Sequence, residues 1–253
     1  MRFASLGSGS RGNALVVEAG RTRVLVDCGF GPRQMEARLA RLGLAAADLD
    51  AIVVTHEHSD HAAGVAACAG RHQLTVFLTH GTLSAMSVAD SLAVQVIDSH
   101  TAFTIGDLEI HPYPVPHDSR EPTQFVFSDG RHRFGMLTDA GVATPHMVDM
   151  LSGCDALLLE CNHDVEMLAA GRYPLHLKRR IAGRLGHLDN AAAAALLARL
   201  DRGKLQHVVA AHLSQENNTA ELARAALAAV LVCQPHWVGA ADQANGIDWR
   251  ELL

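Results

Sequence analysis

No run of 18 apolar residues occurs in the 253-residue sequence, which excludes a long hydrophobic membrane-spanning helix. The first residues, MRFASLGSGSRGN, lack the apolar core and small-residue cleavage site of a secretory signal, so a cytoplasmic protein is expected. Cysteine is sparse and unpatterned. Cys28, Cys68, Cys154, Cys161 and Cys233 are odd in number and contain no C-x-x-C pair, which argues against a disulfide framework or a thiolate zinc site. Excess positive charge is missing too: the formal charge of −6 excludes a protein coated throughout for nucleic acid. No Pro/Ser-rich linker, low-complexity tract or repeat divides the chain, and one domain over residues 1–253 is expected.

What the sequence does contain is an alternation of short β-branched runs with Ala/Leu-rich amphipathic ones, the pattern of α/β layers. Strands are predicted over residues 3–6, 14–18, 22–27, 51–55, 75–79, 94–97, 108–115, 123–128, 133–138, 156–160 and 207–211. Helices are predicted over 32–41, 61–69, 82–89, 145–151, 175–184, 190–200 and 219–230. Thr144 before Pro145 reads as an N-cap, Asn218 with Glu221 as a capping box, and Asp129-Gly130 as a hairpin turn.

The chemistry concentrates in VVTHEHSDHAAG, residues 53–64. His56 and His58 are two apart, so in an extended segment both rings project to one side and can meet one cation; Asp60 and His61 offer an oxygen and a nitrogen to a second. The motif follows an apolar run, at the carboxyl end of a predicted strand, where α/β folds build sites. One loop cannot complete two coordination shells. Further ligands close other apolar runs: His117 ends IHPYPVPH, Asp139 ends FGMLTD, His212 ends HVVAAH, and Asp27 ends RVLVD.

This order of residues resembles the metallo-β-lactamase fold superfamily, over nearly the whole chain. LGSGSRGNALVVE, LLLECNHDVEML, LKRRIAGRLGHLDNAAAAALL and AHLSQENNT are similar to its YycJ/WalJ branch. The resemblance implies an αββα sandwich with a dinuclear site at one edge. His56, His58 and His117 would hold one metal, Asp60, His61 and His212 the other, with Asp139 bridging and Asp27 supporting them from behind. It further implies 5′-to-3′ exonuclease activity on DNA. Where related sequences carry Ser-Ser-Gly-Asn, this one reads Ser10, Arg11, Gly12, Asn13.

Two divalent ions suit hydrolysis by an activated hydroxide, with zinc, manganese or iron all compatible with the mixed nitrogen and oxygen donors. Asp60 is placed to handle the water proton, and His187 or His163 to protonate a leaving oxygen. Between residues 167 and 188 no acid interrupts Arg172, Lys178, Arg179, Arg180 and Arg184. Such a window is either a solvated helix face or a surface for anions; Lys178, Arg179 and Arg180 are the candidates for a nucleic-acid backbone, and Ser10, Arg11 and Asn13 for a terminal phosphate. DNA is expected as substrate ahead of RNA, with no membrane contact. Thioesterase or lactonase chemistry on a small molecule, and RNA processing, are the alternatives the same metal cradle permits.

Overall fold

The computed structural model describes residues 1–86 and 92–253. In its first half, β1 (Arg2–Gly7), β2 (Ala14–Ala19) and β3 (Thr22–Val26) form an antiparallel meander. Then α1 (Pro32–Arg41) leads to β4 (Ala51–Val53), α2 (Ser59–Ala62) and α3 (Val65–His72) to β5 (Thr75–Thr79), and α4 (His80–Ala85) precedes β6 (Val94–Ile97). From β3 to β6 the strands run parallel.

A second antiparallel run follows in β7 (Phe103–Ile105), β8 (Leu108–Pro114), β9 (Thr123–Ser128) and β10 (Arg133–Leu137). Next come α5 (Pro145–Leu151), β11 (Ala156–Glu160), α6 (Val165–Ala170), α7 (Leu175–Ile181), α8 (Asn190–Arg199), β12 (His207–Ala211), α9 (Ala220–Leu231) and β13 (Gly239–Ala240). From β10 to β13 the pairing is again parallel. Finally β14 (Ile247–Glu251) crosses back to pair with β1. The sheet orders are β14-β1-β2-β3-β4-β5-β6 and β13-β12-β11-β10-β9-β8-β7.

Both faces of the inner strands are buried, so they read as continuous apolar runs. In β3, Val24 and Val26 face the second sheet while Leu25 packs with Met35 and Leu39 of α1. In β11, Leu158 faces the first sheet while Leu157 and Leu159 meet α5, α8 and α9. The Phe3 and Phe134 rings stack 4.1 Å apart across the sheets. The result is the expected αββα order of layers. Among the described residues no helix is long and apolar enough to cross a membrane.

Several expectations are corrected. The helix expected over 61–69 is broken into α2 and α3, because Gly64 donates its N–H to Cys28 O and a Cβ there would lie 1.8 Å from Phe30 O. Thr219, not Asn218, caps α9; Asn218 instead donates to Cys161 O at 2.7 Å. The helix expected over 175–184 ends at Ile181, where the chain turns through Gly183 and Gly186. The one expected over 82–89 starts earlier, at His80 behind a Thr79 cap, and its residues 87–89 lie outside the described residues. Pattern reading omitted β7, α6, β13 and β14: the strands are short or half-exposed, and α6 is six residues behind an Asp164 cap.

Gly64→Ala should destabilise the protein by more than about 2 kcal/mol in urea unfolding, because the new methyl meets backbone. A change below about 0.5 kcal/mol, the range of neutral surface substitutions, would contradict this packing.

Candidate metal centre

Leaving β4, the chain turns outward and Thr55 donates its N–H to Asp27 Oδ1 (2.8 Å) and its hydroxyl to Asp27 Oδ2 (2.9 Å). Asp27 ends β3 in the left-handed region, φ 58°, which turns its carboxylate back toward the loop. His61 Nδ1 donates to Asp27 Oδ2 at 2.7 Å. Backbone bonds fix the rest of the loop: Asn13 N to Asp60 O and Cys28 N to His61 O, both 2.7 Å.

Two groups of ligand atoms result. His58 Nδ1 lies 3.1 Å from both His56 Nε2 and His117 Nε2. His117 Nδ1 donates to Gly186 O at 3.1 Å, leaving Nε2 as the free nitrogen. In the second group, Asp60 Oδ2 is 3.4 Å from both His61 Nε2 and His212 Nε2. Asp139 sits between the groups, with Oδ2 2.9 Å from His61 Nε2 and Oδ1 3.8 Å from His117 Nε2. Asp139 Oδ2 is buried and accepts no hydrogen bond. An orphaned carboxylate oxygen beside convergent ring nitrogens is the donor arrangement that a cation completes, so the residues fit divalent metal binding.

Glu160 is a site residue that sequence reasoning missed. It ends β11 fully buried and accepts from the backbone N–H groups of Ala140 (2.9 Å) and Leu188 (3.1 Å). Its Oδ-equivalent, Oε1, lies 2.9 Å from His187 Nδ1 and 3.0 Å from His212 Nδ1. Glu160 therefore does for His212 what Asp27 does for His61: it fixes the ring and leaves Nε2 facing inward. The signal was available, since ALLLE closes an apolar run with a carboxylate as RVLVD does.

Electrostatics divide the site. Burial, reinforced by His61, holds His56 well below the usual histidine range, and burial also lowers His117, so both stay in the neutral form that binds metal. Burial works against the charges of the other cluster, but there the partners win. Asp139 and Asp27 raise His61, and Asp139 with hydrogen bonds to Asp60 and Glu160 raises His212 to about 10. His187 and His212 hold Glu160 at about 2 despite its burial. This half is rich enough in carboxylate to demand positive charge.

A cavity of about 340 Å³ opens on the ligands. It is lined by Ser10, His58, Asp60, Asp139, His187 and His212, and by Tyr173, Arg180 and Ile181 around α7. His56, His61 and His117 stand behind these, in contact with them. Arg180 donates to Asp118 Oδ2 at 2.6 Å, beside His117. Other expected contacts are not brought to the cavity. Asn13 is buried, its amide Oδ1 accepting from Gly9 N and its Nδ2 donating to Asp60 Oδ2 at 3.2 Å, so it positions a ligand rather than facing substrate. Lys178 turns back to Ala169 O, Arg179 and Arg11 are exposed and do not line the cavity, and His163 is buried against Asn162.

Comparison with known proteins agrees with this geometry. The family model described as a beta-lactamase superfamily domain matches residues 22–236. Exodeoxyribonuclease YycJ of Bacillus anthracis is 35% identical over 98% of this chain and 96% of its own length. Exodeoxyribonuclease WalJ of Streptococcus pneumoniae serotype 2 is 33% identical over 98% of this chain and 92% of its own. Among solved structures, the metallo-beta-lactamase fold protein YhfI from Bacillus subtilis superposes with a TM-score of 0.75 at 16% identity, covering 98% of both chains.

Glu160→Gln should keep the fold, by circular dichroism, yet weaken divalent-metal affinity about 10- to 100-fold in chelator competition, the usual cost of removing a ligand's orienting partner. Unchanged affinity would mean that Glu160 does not set the His212 ring.

Proposed function

Because the chain belongs to the metallo-β-lactamase superfamily and, within it, to the family of the YycJ and WalJ exodeoxyribonucleases, we propose that it is a metal-dependent nuclease that shortens DNA from the 5′ end. The observation that carries this reading is an alignment along 98% of the chain with relatives named exodeoxyribonucleases, in a protein whose His and Asp side chains converge in groups able to take a metal. As a member of the superfamily it is a metallo-hydrolase.

His56, His58 and His117 would hold one divalent ion and Asp60, His61 and His212 a second, with Asp139 placed between the two groups. Five imidazoles and two carboxylates suit zinc, and manganese or iron accept the same set. When bound, such ions supply an activated water and counter-charge for a phosphodiester.

The chain's own residues supply the rest. Asp60, steadied by the Asn13 amide, would orient such a water by accepting a hydrogen bond from it. His187 lines the cavity with Nδ1 tied to Glu160, which presents its other nitrogen to a leaving oxygen as proton donor. Arg180 and Ser10, both on the cavity wall, contact substrate phosphates. Lys178 and Arg179 add only a diffuse field.

The test follows mononucleotide release from 5′-phosphorylated, 3′-labelled single-stranded DNA, with the matching RNA in parallel, under zinc or manganese. Stepwise shortening of DNA is expected, and Asp60→Ala or His58→Ala should abolish it in a folded protein. Full activity in either variant, or attack on RNA alone, would overturn the assignment.

Arg180→Gln should raise KM for the oligonucleotide about tenfold, with a smaller effect on bis(p-nitrophenyl) phosphate, and should reduce the salt dependence of binding by about one charge. Equal losses on both substrates would argue against a backbone contact.

A further inference from the structure

The chain has seven phenylalanines, two tryptophans and two tyrosines, and nearly all serve the interior. Phe3, Phe30, Phe125, Phe127, Phe134 and Tyr113 are buried, and Phe77 stacks on Phe103. Trp249 carries Arg2 on its face and donates to Leu42 O. Trp237 is 43% exposed but does not line the site cavity, whereas half-buried Tyr173 is the one Phe, Tyr or Trp that does so among the described residues.

Its position is fixed from both sides. Gly171 N donates to Met167 O, and a Cβ on Gly171 would lie 2.5 Å from Asn217 Oδ1, so the turn is packed tightly. Arg172 pairs with Glu216 at 2.7 Å, and Pro174 follows as the cap of α7. The chain thus holds a ring in the cavity, where Arg180 and Ile181 share the lining and no core requires an aromatic. A phosphodiester gives such a ring nothing to pack on, whereas a nucleobase offers a flat π-face of matching size.

We infer that Tyr173 is the stacking platform for one nucleobase of the bound strand, close to the scissile phosphate. This rests on the nuclease reading above. Stacking makes the cavity tolerant of base identity but intolerant of a missing base, and it needs the ring rather than the hydroxyl.

The experiment uses the full-length metal-loaded protein and single-stranded DNAs of one sequence carrying an abasic residue at the first, second or third position from the attacked end. For the native protein and Tyr173→Phe, kcat/KM should fall about tenfold when one of these positions is abasic. Tyr173→Leu should lose about as much on intact DNA and show no further loss at that position. A merely structural role would lower every substrate together and leave the abasic penalty in place. The inference is overturned by an abasic penalty that survives in Tyr173→Leu, by native activity indifferent to all three lesions, or by Tyr173→Phe behaving like Tyr173→Leu. If the native protein shortens none of these DNAs while hydrolysing bis(p-nitrophenyl) phosphate, the nuclease reading itself falls, an outcome distinct from shortening that ignores the lost base.

Discussion

A buried carboxylate is tolerated only if it is paired and hydrogen-bonded, and this chain places Asp27 in the first sheet and Glu160 in the second, each at the end of an interior strand. Asp27 satisfies its oxygens with Thr55 and His61, Glu160 with two backbone N–H groups, His187 and His212. Each pairing ties a loop to its strand end and turns one imidazole inward. The loops cannot relax away from the centre without leaving a charge unpaired in the interior. The metal centre is therefore continuous with the folding of the two sheets rather than grafted on their edge.

Asp139 joins the two halves, and its backbone reflects that demand. Asp27, Asp139 and His212 all adopt left-handed conformations, with φ between 54° and 58°, at the ends of β3, β10 and β12. Such geometry in a non-glycine residue costs of order 1–3 kcal/mol and persists only where the surroundings over-determine it. Here the surroundings are the layer between the sheets, where Phe3, Phe125, Phe134 and Leu158 are shielded almost completely. Burying one such side chain contributes about 1.5–3 kcal/mol, enough to offset one strained turn. The core beneath the site thus stabilises these three strained strand ends together.

The candidate ligands, and Asp27 behind them, were legible in the sequence because they close apolar runs, and two sheets buried on both faces make such runs conspicuous. Asp27, Asp139 and His212 were found on that signal, and His56 to His61 on spacing as well. Glu160 carries the same signal, but the histidine nearest in sequence, His163, is not one it bonds; its partners, His187 and His212, arrive only through the fold. Asn13 was misread because a Ser/Gly-rich turn looks open to solvent, whereas Gly9 and Asp60 claim its amide. Lys178, Arg179 and Arg180 could not all face one ligand, since consecutive helical residues point in different directions. Of the three, Arg180 alone reaches the cavity. Half-exposed β14 was illegible because its sequence, IDWRE, has little of the apolar continuity of the inner strands.

The same contrast separates the two sides of the cavity. The ligand side is built on buried strand ends, and a substitution there disturbs charge pairing in the interior. On the other side α7 buries none of its residues. It is held by polar ties at its margins: Lys178 to Ala169 O, Arg180 to Asp118, Gly186 O to His117 and His187 to Glu160. Changes at Tyr173 or Arg180 therefore alter the cavity wall at little cost to the core, while the ties at Gly186 and His187 keep that wall in register with the strand ends. A fold that anchors its candidate ligands in the interior and forms the opposite cavity wall around a lightly packed helix can alter that wall without rebuilding the centre. That division of labour follows from which side chains are buried, before any reaction is assigned.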